Sequence, residues 1–512
     1  MELSEKDYQQ IKEHGFELSD IEKQLQRFRD GFPYTELVEP ALAGKGILVM
    51  NDAEIKEHSS FFDDHHNEYK LLKFVPASGA ATRMFKDLYE YINNKSNTDI
   101  VSDAVAKFFN YIKDFAFFDD LKFKMLENNV NIDECIQNNK ISVIIEYLLS
   151  EKGLGYSKLP KALLKFHKYG NYSRTALEEH IVEAALYAVN IDKTADIHFT
   201  VFPDYFEIFQ KHAVEFCKRY KDIYNVNFNI GFSIQKPHTD TIAVDLNNNP
   251  FREDDGKLYF RPGGHGALLE NLNELQGDIV FIKNIDNVVH ESNIDITVLY
   301  KKTLAGYLMS LKNSISEYLK RLNNDNLSNE DYINIVYFAS DKLQIKIPDG
   351  FKEWPLTAKN EFLKRRLNRP IRICGMVKNT GEPGGGPFWI KDRRGEITLQ
   401  IVEASQVDLN NDKQSAIFNA ATHFNPVDIV CSLKDYNGNN YDLKNFVDNN
   451  AGFITIKSKN GKSLKAMELP GLWNGSMAEW ITIFVEVPIE TFNPVKTVID
   501  LLRPQHQASK TI

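Results

Sequence analysis

YFRPGGHGALLENLNELQGDIVFIKNIDNVV, residues 259–289, divides into three parts whose order predicts the fold. Pro262, Gly263, Gly264 and Gly266 belong to a loop whose backbone can approach a flat or anionic ligand, because no Cβ stands in the way at the glycines. Leu268, Leu269, Leu272 and Leu275 follow at helical spacing and give one apolar face, closed by Gly277. Ile279-Val280-Phe281-Ile282 is then a continuous apolar run, the pattern of a strand buried on both faces of a parallel sheet. Asn284-Ile285-Asp286-Asn287 places a carboxylate at that strand's carboxyl end, where open α/β sheets bind ligands and metal ions. Two readings fit the stretch: a nucleotide cradle with a metal-binding acid beside it, or a turn packed on a sheet edge.

Working outward, residues 71–75 (LLKFV) predict a second apolar strand. A small-residue loop, PASGAATR, runs from Pro76 to Arg83, and a helix follows with Met84, Leu88 and Tyr91 on one face. Strand, small-residue loop and helix together hold phosphates on backbone N–H groups. The loop lacks the lysine–serine ending of a Walker loop. Arg83 at the helix entry suits neutralisation of a triphosphate as a bidentate partner. Residues 197–201 read as a strand, and Val226, Phe228, Ile230, Phe232 and Ile234 alternate as one with a polar face, delivering Gln235. This βαβ alternation predicts an α/β fold built on a doubly wound, mostly parallel, Rossmann-like sheet.

Residues 86–156 and 297–366 are rich in helix formers and read as helical insertions into a core spanning 71–370. Residues 1–70 read as a polar helical segment, and 371–512 as the second half of the core with a C-terminal extension. His58, Asp63, Asp64, His65 and His66 have no metal-type spacing and read as a solvated surface loop. Residues 380–387 (TGEPGGGP) fit either a flexible loop over a site or an ordinary linker.

Composition narrows the function classes. The 43% hydrophobic and 12% aromatic content of 512 residues excludes a disordered chain and supports a sizeable core. A net charge of -10 argues against a nucleic-acid binder, whose footprint is usually basic. The four cysteines, Cys135, Cys217, Cys374 and Cys431, lie far apart and read as reduced thiols. No signal-type or membrane-spanning apolar run is visible, so the expectation is a soluble, cytoplasmic protein that engages no membrane.

The motifs also resemble a family. Pro262-Gly263-Gly264-His265-Gly266 with Asn284-Ile285-Asp286-Asn287 looks like the "PPGHG … NSDNLG" pair of UTP–sugar-1-phosphate uridylyltransferases. Residues 77–83 resemble the "LAGGxGTRL" signature of sugar nucleotidyltransferases; Gly79, Thr82 and Arg83 match, whereas Ser78 and Ala81 replace two of its glycines. Leu159-Pro160-Lys161-Ala162-Leu163-Leu164 resembles "PKxLL", and residues 399–406 and 417–424 look like the "VVEYSE" and "LFNAGNIANHFF" segments of the N-acetylglucosamine enzymes. Residues 491–502 (TFNPVKTVIDLL) resemble "RFLPVKTTSDLL". The motifs occur in family order over about residues 70–505, with two large insertions.

The resemblance implies a sheet of the nucleotide-diphospho-sugar transferase type. It also implies a reaction in which a sugar-1-phosphate oxygen attacks the α-phosphorus of UTP and pyrophosphate leaves. By residue, it implies Ser78, Gly79, Thr82, Gln235 and the loop Gly263, Gly264, His265, Gly266 on the nucleotide, with Gln235 at the uracil edge. It places Glu403 and Asn419 on sugar hydroxyls, Arg83, Lys161 and Lys496 on phosphates, and Mg²⁺ at Asp286. A nucleotide- or UDP-sugar-binding protein that has lost catalysis is the alternative that Ser78 and Ala81 suggest. A glycosyltransferase fits less well, because Asn284-Ile285-Asp286 offers only the second acid of an Asp-x-Asp motif.

Overall fold

Leu71–Pro76 forms the first long buried strand, as its apolar run requires, with Leu71 to Val75 all shielded from solvent. The computed structural model describes residues 3–77, 79, 81–93, 101–323, 327–381 and 384–508. Ser78, Ala80, Glu382 and Pro383 therefore lie outside the described residues. The chain divides into two compact units, each assembled from separated segments.

One unit comprises 71–233, 282–302 and 488–512. Leu71–Pro76 pairs in parallel with Thr194–Val201, Lys73 opposite Ile197 and Pro76 opposite Thr200, and Asn227–Ile234 lies beyond Thr194–Val201. The insertion is helical as expected: Lys86–Asn93, Asp103–Asn110, Phe118–Glu127, Ile132–Gln137 and Ile141–Leu149. Phe108, Phe115 and Phe117 form a buried ring cluster with centroids 5.0–5.4 Å apart. A hairpin, Lys165–Tyr169 with Tyr172–Thr175, then leads into the helix Ala176–Tyr187. Thr175 caps that helix in a reciprocal box with Glu178. Residues 488–508 run as short 3-10 turns.

The other unit comprises 1–70, 234–281 and 303–487. Its main sheet runs in the order Leu42–Ala43, Gly46–Leu48, Ile481–Glu486, Ile371–Lys378, Asp428–Ser432 and then residues 279–281. The first three pairings are parallel, and Ile371–Lys378 meets Asp428–Ser432 antiparallel. A smaller sheet joins Glu36–Pro40, Gly386–Lys391 and Ile397–Val402. The architecture is thus mixed α/β with mostly parallel main strands, in line with the sequence reading.

Three details differ from that reading. Residues 1–70 are not all helical: after Glu5–Glu13 and Leu18–Asp30 they contribute the strand Glu36–Pro40, whose partner Gly386–Lys391 lies far along the chain and leaves no local pattern. The stretch from His58 to His65 is part of the helix Asp52–His65 rather than a loop. Behind the Gly-rich loop the helix is short, a 3-10 turn His265–Leu268 and then Leu269–Asn273, so Leu275 falls beyond it. Among the described residues no helix is long and apolar enough to cross a membrane.

Candidate phosphate-binding site

Asp286 stands three residues beyond the strand Ile279–Lys283, 7% exposed, and its environment is built by backbone. Val495 N–H donates to the Asp286 carbonyl at 3.0 Å, and Asn493 N–H to Asn287 Oδ1 at 2.9 Å. The segment that carries Lys496 is therefore stitched to the Asp286 turn by hydrogen bonds whose loss would strand buried polar groups. Lys161 opens the 3-10 turn Lys161–Leu163 behind Pro160, and its own N–H donates to Gly79 O at 3.3 Å. Its ammonium donates to Asp286 Oδ2 at 3.0 Å and to Val495 O at 2.9 Å. Lys496 reaches the same Oδ2 at 3.1 Å. Three residues taken from distant motifs thus share one carboxylate oxygen.

Burial pushes the Asp286 carboxyl up, but the two ammoniums outweigh it and hold the group below its ordinary value of 3.8. Two cations on one anion leave a net positive charge, suited to a phosphate. The two lysines differ in character: the Lys161 side chain is 13% exposed and fixed by two acceptors, whereas that of Lys496 is 62% exposed and has the freedom of an arm. Thr82 and Arg83 are exposed on the 3-10 turn Ala81–Phe85, and among the described residues Arg83 forms no ion pair with Asp286. The structure brings Lys161, Asp286 and Lys496 together and leaves Arg83 outside their contacts.

Behind this site lies a charged cluster that the sequence reading missed. Glu183, on the helix Ala176–Tyr187, accepts from Lys283 at 2.6 Å, from Lys73 at 2.8 Å and from Tyr187 at 3.0 Å, all fully buried. Burial lowers the Lys73 ammonium to about 7, while Glu183 stays ionised because the two lysines overcome its own burial. His180, one turn earlier, donates through Nε2 to Ile285 O at 3.2 Å, fixing the residue next to Asp286.

The Gly-rich loop belongs to the other unit and has its own surroundings. Gly264 adopts φ +80°, open to glycine at little cost, and a Cβ on Gly266 would lie 2.0 Å from Pro470 O. His265 accepts the Leu472 N–H at Nδ1 (2.8 Å), so its proton sits on Nε2, which faces Glu403 Oε1 at 3.8 Å. The His265 ring stacks on Trp473 at 4.1 Å. Glu403 also accepts from Asn474 Nδ2 at 2.9 Å, and His265 above all holds its carboxyl below the ordinary value. Asn419 is exposed at the end of the helix Asp412–Asn419, and no described contact joins it to Glu403. Gln235 donates to Asp240 Oδ1 at 2.9 Å, which fixes the direction of its amide. Trp473 and Asn474 were not singled out from the sequence; the only signal was their place in a conspicuous LPGLWNG stretch. Gly266→Ala is expected to destabilise its unit by about 1–3 kcal/mol, since Pro470 O is backbone and has nowhere to go. Thermal melts followed by tryptophan fluorescence check this, because all four tryptophans lie in that unit.

A family model described as a domain of unknown function matches residues 4–507. No curated protein matches the sequence. Among solved structures, the chain is similar to a Trypanosoma brucei UDP-glucose phosphorylase at 11% identity, covering 97% of this chain and 77% of that one with a TM-score of 0.43. A Leishmania major UDP-glucose pyrophosphorylase variant in complex with UDP-glucose matches at 11% identity over 99% and 80%, TM-score 0.44. The Trypanosoma brucei uridine diphosphate N-acetylglucosamine pyrophosphorylase matches at 10% identity over 94% and 74%, TM-score 0.46.

Proposed function

We propose that this chain, which belongs to the DUF4301 family, is a nucleotidyltransferase that joins a sugar-1-phosphate to UTP with release of pyrophosphate. The observation that carries the reading is the shared contact of Lys161, Asp286 and Lys496, separated by 125 and 210 positions yet meeting at one oxygen. Each comes from a motif of the uridylyltransferase series, and the series runs in the same order along the chain. Transfer at phosphorus asks a protein for positioning and for neutralisation of oxygen charge. Lys161 supplies a fixed cation. Lys496 supplies a mobile one that can leave Asp286 for an incoming phosphate.

Asp286 fits Mg²⁺ in one arrangement. Both ammoniums sit on Oδ2 and neither on Oδ1, and Mg²⁺ commonly takes one or two carboxylates and completes its shell with phosphate oxygens and water. Among the described residues no group of three or more acids, histidines or cysteines offers a metal site by itself. Bound with the nucleotide, the ion would offset phosphoryl charge. Gln235 is the proposed uracil contact, the loop Gly263, Gly264, His265 and Gly266 the proposed nucleotide contact, and Glu403 the proposed contact to sugar hydroxyls. A second reading, UDP-sugar binding without catalysis, draws on Arg83, which stands outside the lysine–aspartate contacts.

The test is a screen of nucleoside triphosphates against sugar-1-phosphates with Mg²⁺, following pyrophosphate. Release with UTP and a hexose-1-phosphate is the expected result. Stabilisation by UDP-sugar with no exchange in either direction would select the binding-protein reading, and thermal stabilisation by ATP or GTP but not UTP would remove the uridine assignment.

A further inference from the structure

Two imidazoles face one another in the core of the unit that carries the phosphate site, and the proposed chemistry does not use them. His167, on the hairpin strand Lys165–Tyr169, is wholly buried, and His506, near the end of the C-terminal segment, is 1% exposed. His167 Nδ1 lies 2.8 Å from Glu179 Oε1, and its Nε2 lies 2.8 Å from Nδ1 of His506. With Glu179 ionised its carboxylate only accepts, so Nδ1 of His167 carries the proton, Nε2 is bare, and His506 donates to it. Tyr169 donates to the same Glu179 oxygen at 2.7 Å, and Arg174 lies 3.5 Å from the other. Tyr169 and Arg174 thereby hold Glu179 against His167. Leaving either ring without its partner would expose a buried donor or acceptor to no compensation.

From His506 the contacts lead back to Lys496. His506 N–H donates to Arg503 O at 2.9 Å, and the Arg503 guanidinium meets Asp500 Oδ1 at 2.8 Å. Asp500 Oδ2 in turn accepts the N–H groups of Lys496 and Thr497 at 2.8 and 2.7 Å. Gln505 O accepts the His290 N–H at 2.9 Å, adding a backbone tie beside the pair. The segment is fastened near Lys496 by Asp286 and Asn287, and at its far end by the imidazole pair. Between these points it is only short turns, which have little rigidity of their own.

We infer that His506 is a positioning residue: seated on His167, it clamps the C-terminal segment so that Val495 O and the Lys496 ammonium stay on Lys161 and Asp286. The kinetic side of this inference rests on the nucleotidyltransfer reading, whereas the clamp itself does not. Asparagine places an amide near the position of Nδ1, so His506→Asn keeps the contact with His167, and His506→Ala removes it.

The experiment compares the full-length wild type, His506→Ala and His506→Asn by amide hydrogen exchange and by steady-state kinetics. In His506→Ala, exchange of the Val495, Lys496 and Thr497 amides should rise about tenfold or more while the strand Leu71–Pro76 keeps its protection. KM for the phosphate-bearing substrate should rise about tenfold with a smaller change in kcat, because the lysine is displaced rather than removed. His506→Asn should restore most of both. Unchanged exchange over residues 493–500, or a rise shared equally with Leu71–Pro76, would overturn the clamp, as would His506→Asn failing to recover local protection although folded. If His506→Ala does not fold, His506→Gln, whose amide falls near the Nε2 rather than the Nδ1 position and so misses His167, is compared with His506→Asn by the same local measure. A wild type without pyrophosphate release would remove the proposed function and leave the exchange result to judge the clamp alone.

Discussion

On the proposed function, replacing Lys161 with methionine should lower turnover by about 10²–10³-fold, the cost of removing one preorganised electrostatic donor. Methionine keeps the unbranched stem, so the loss is that of the ammonium and its two acceptors, Asp286 Oδ2 at 3.0 Å and Val495 O at 2.9 Å. The buried Asp286 carboxylate would then depend on Lys496, which is mostly in solvent and therefore a weaker partner. Its carboxyl should rise toward the ordinary range, because burial already pushes it that way and Lys161 is the strongest opposing influence. Lys496→Met should cost less than Lys161→Met, since an exposed arm contributes less electrostatically than a fixed buried one. Asp286→Asn should fall between them, leaving two ammoniums facing each other. Pyrophosphate release by the three purified variants, each checked by a thermal melt, measures the order. Near-normal rates in all three would end the phosphoryl-transfer proposal, whatever ligand the protein binds.

The motif series grouped Arg83, Lys161, Asp286 and Lys496, and in the structure the two lysines meet at one oxygen of Asp286 while Arg83 stands outside those contacts. The series did not foretell that Asp286 is first of all an ion-pair partner of the two lysines. A lone acid after a strand looks the same in sequence whether it faces a metal or an ammonium. The deeper charges were hidden for a related reason. Lys73 in LLKFV reads as an interruption of an apolar strand, and its partner Glu183 lies 110 positions away. On the helix Ala176–Tyr187, Glu178, Glu179, His180 and Glu183 are all buried. Hydrophobic periodicity reports which face is apolar, and it fails where both faces are inside and the polar groups pair with one another. The strand Glu36–Pro40 escaped notice because a short edge strand takes its identity from a distant partner.

That buried histidine content leads to a second large effect, on stability. Burial holds His167 and His180 far below their ordinary value of 6.5, with His290 and Arg174 adding to it at the first and Lys73 at the second, and His506 is lowered to about 3. A group whose protonation is suppressed by folding binds its proton only in the unfolded chain, so stability is lost as pH falls through 6.5. Glu179 acts in the opposite sense: burial raises it to about 7 against the pull of Arg174 and Tyr169, so below that pH the folded state holds a proton that the unfolded state has released. Its O–H can then donate to Nδ1 of His167, and Nε2–H of His167 to His506, leaving both rings neutral. Lys73, lowered to about 7, is protonated in both states near pH 5.5 and gains a fraction of a proton on unfolding only toward pH 7. Three protons taken up on unfolding against one released give a net of nearly two near pH 5.5, a slope of about 2–3 kcal/mol per pH unit. His58 and the buried His290 are lowered in the same direction and steepen it. Amide exchange of the helix Ala176–Tyr187, corrected for intrinsic rate and followed with urea from pH 7 to 5.5, should report this loss. In His506→Asn one of the three protons is gone, and the slope should fall by about 1 kcal/mol per pH unit. A flat profile between pH 5.5 and 6.5 would mean that these imidazoles meet water in the native protein, and the clamp on Lys496 would lose its basis with them.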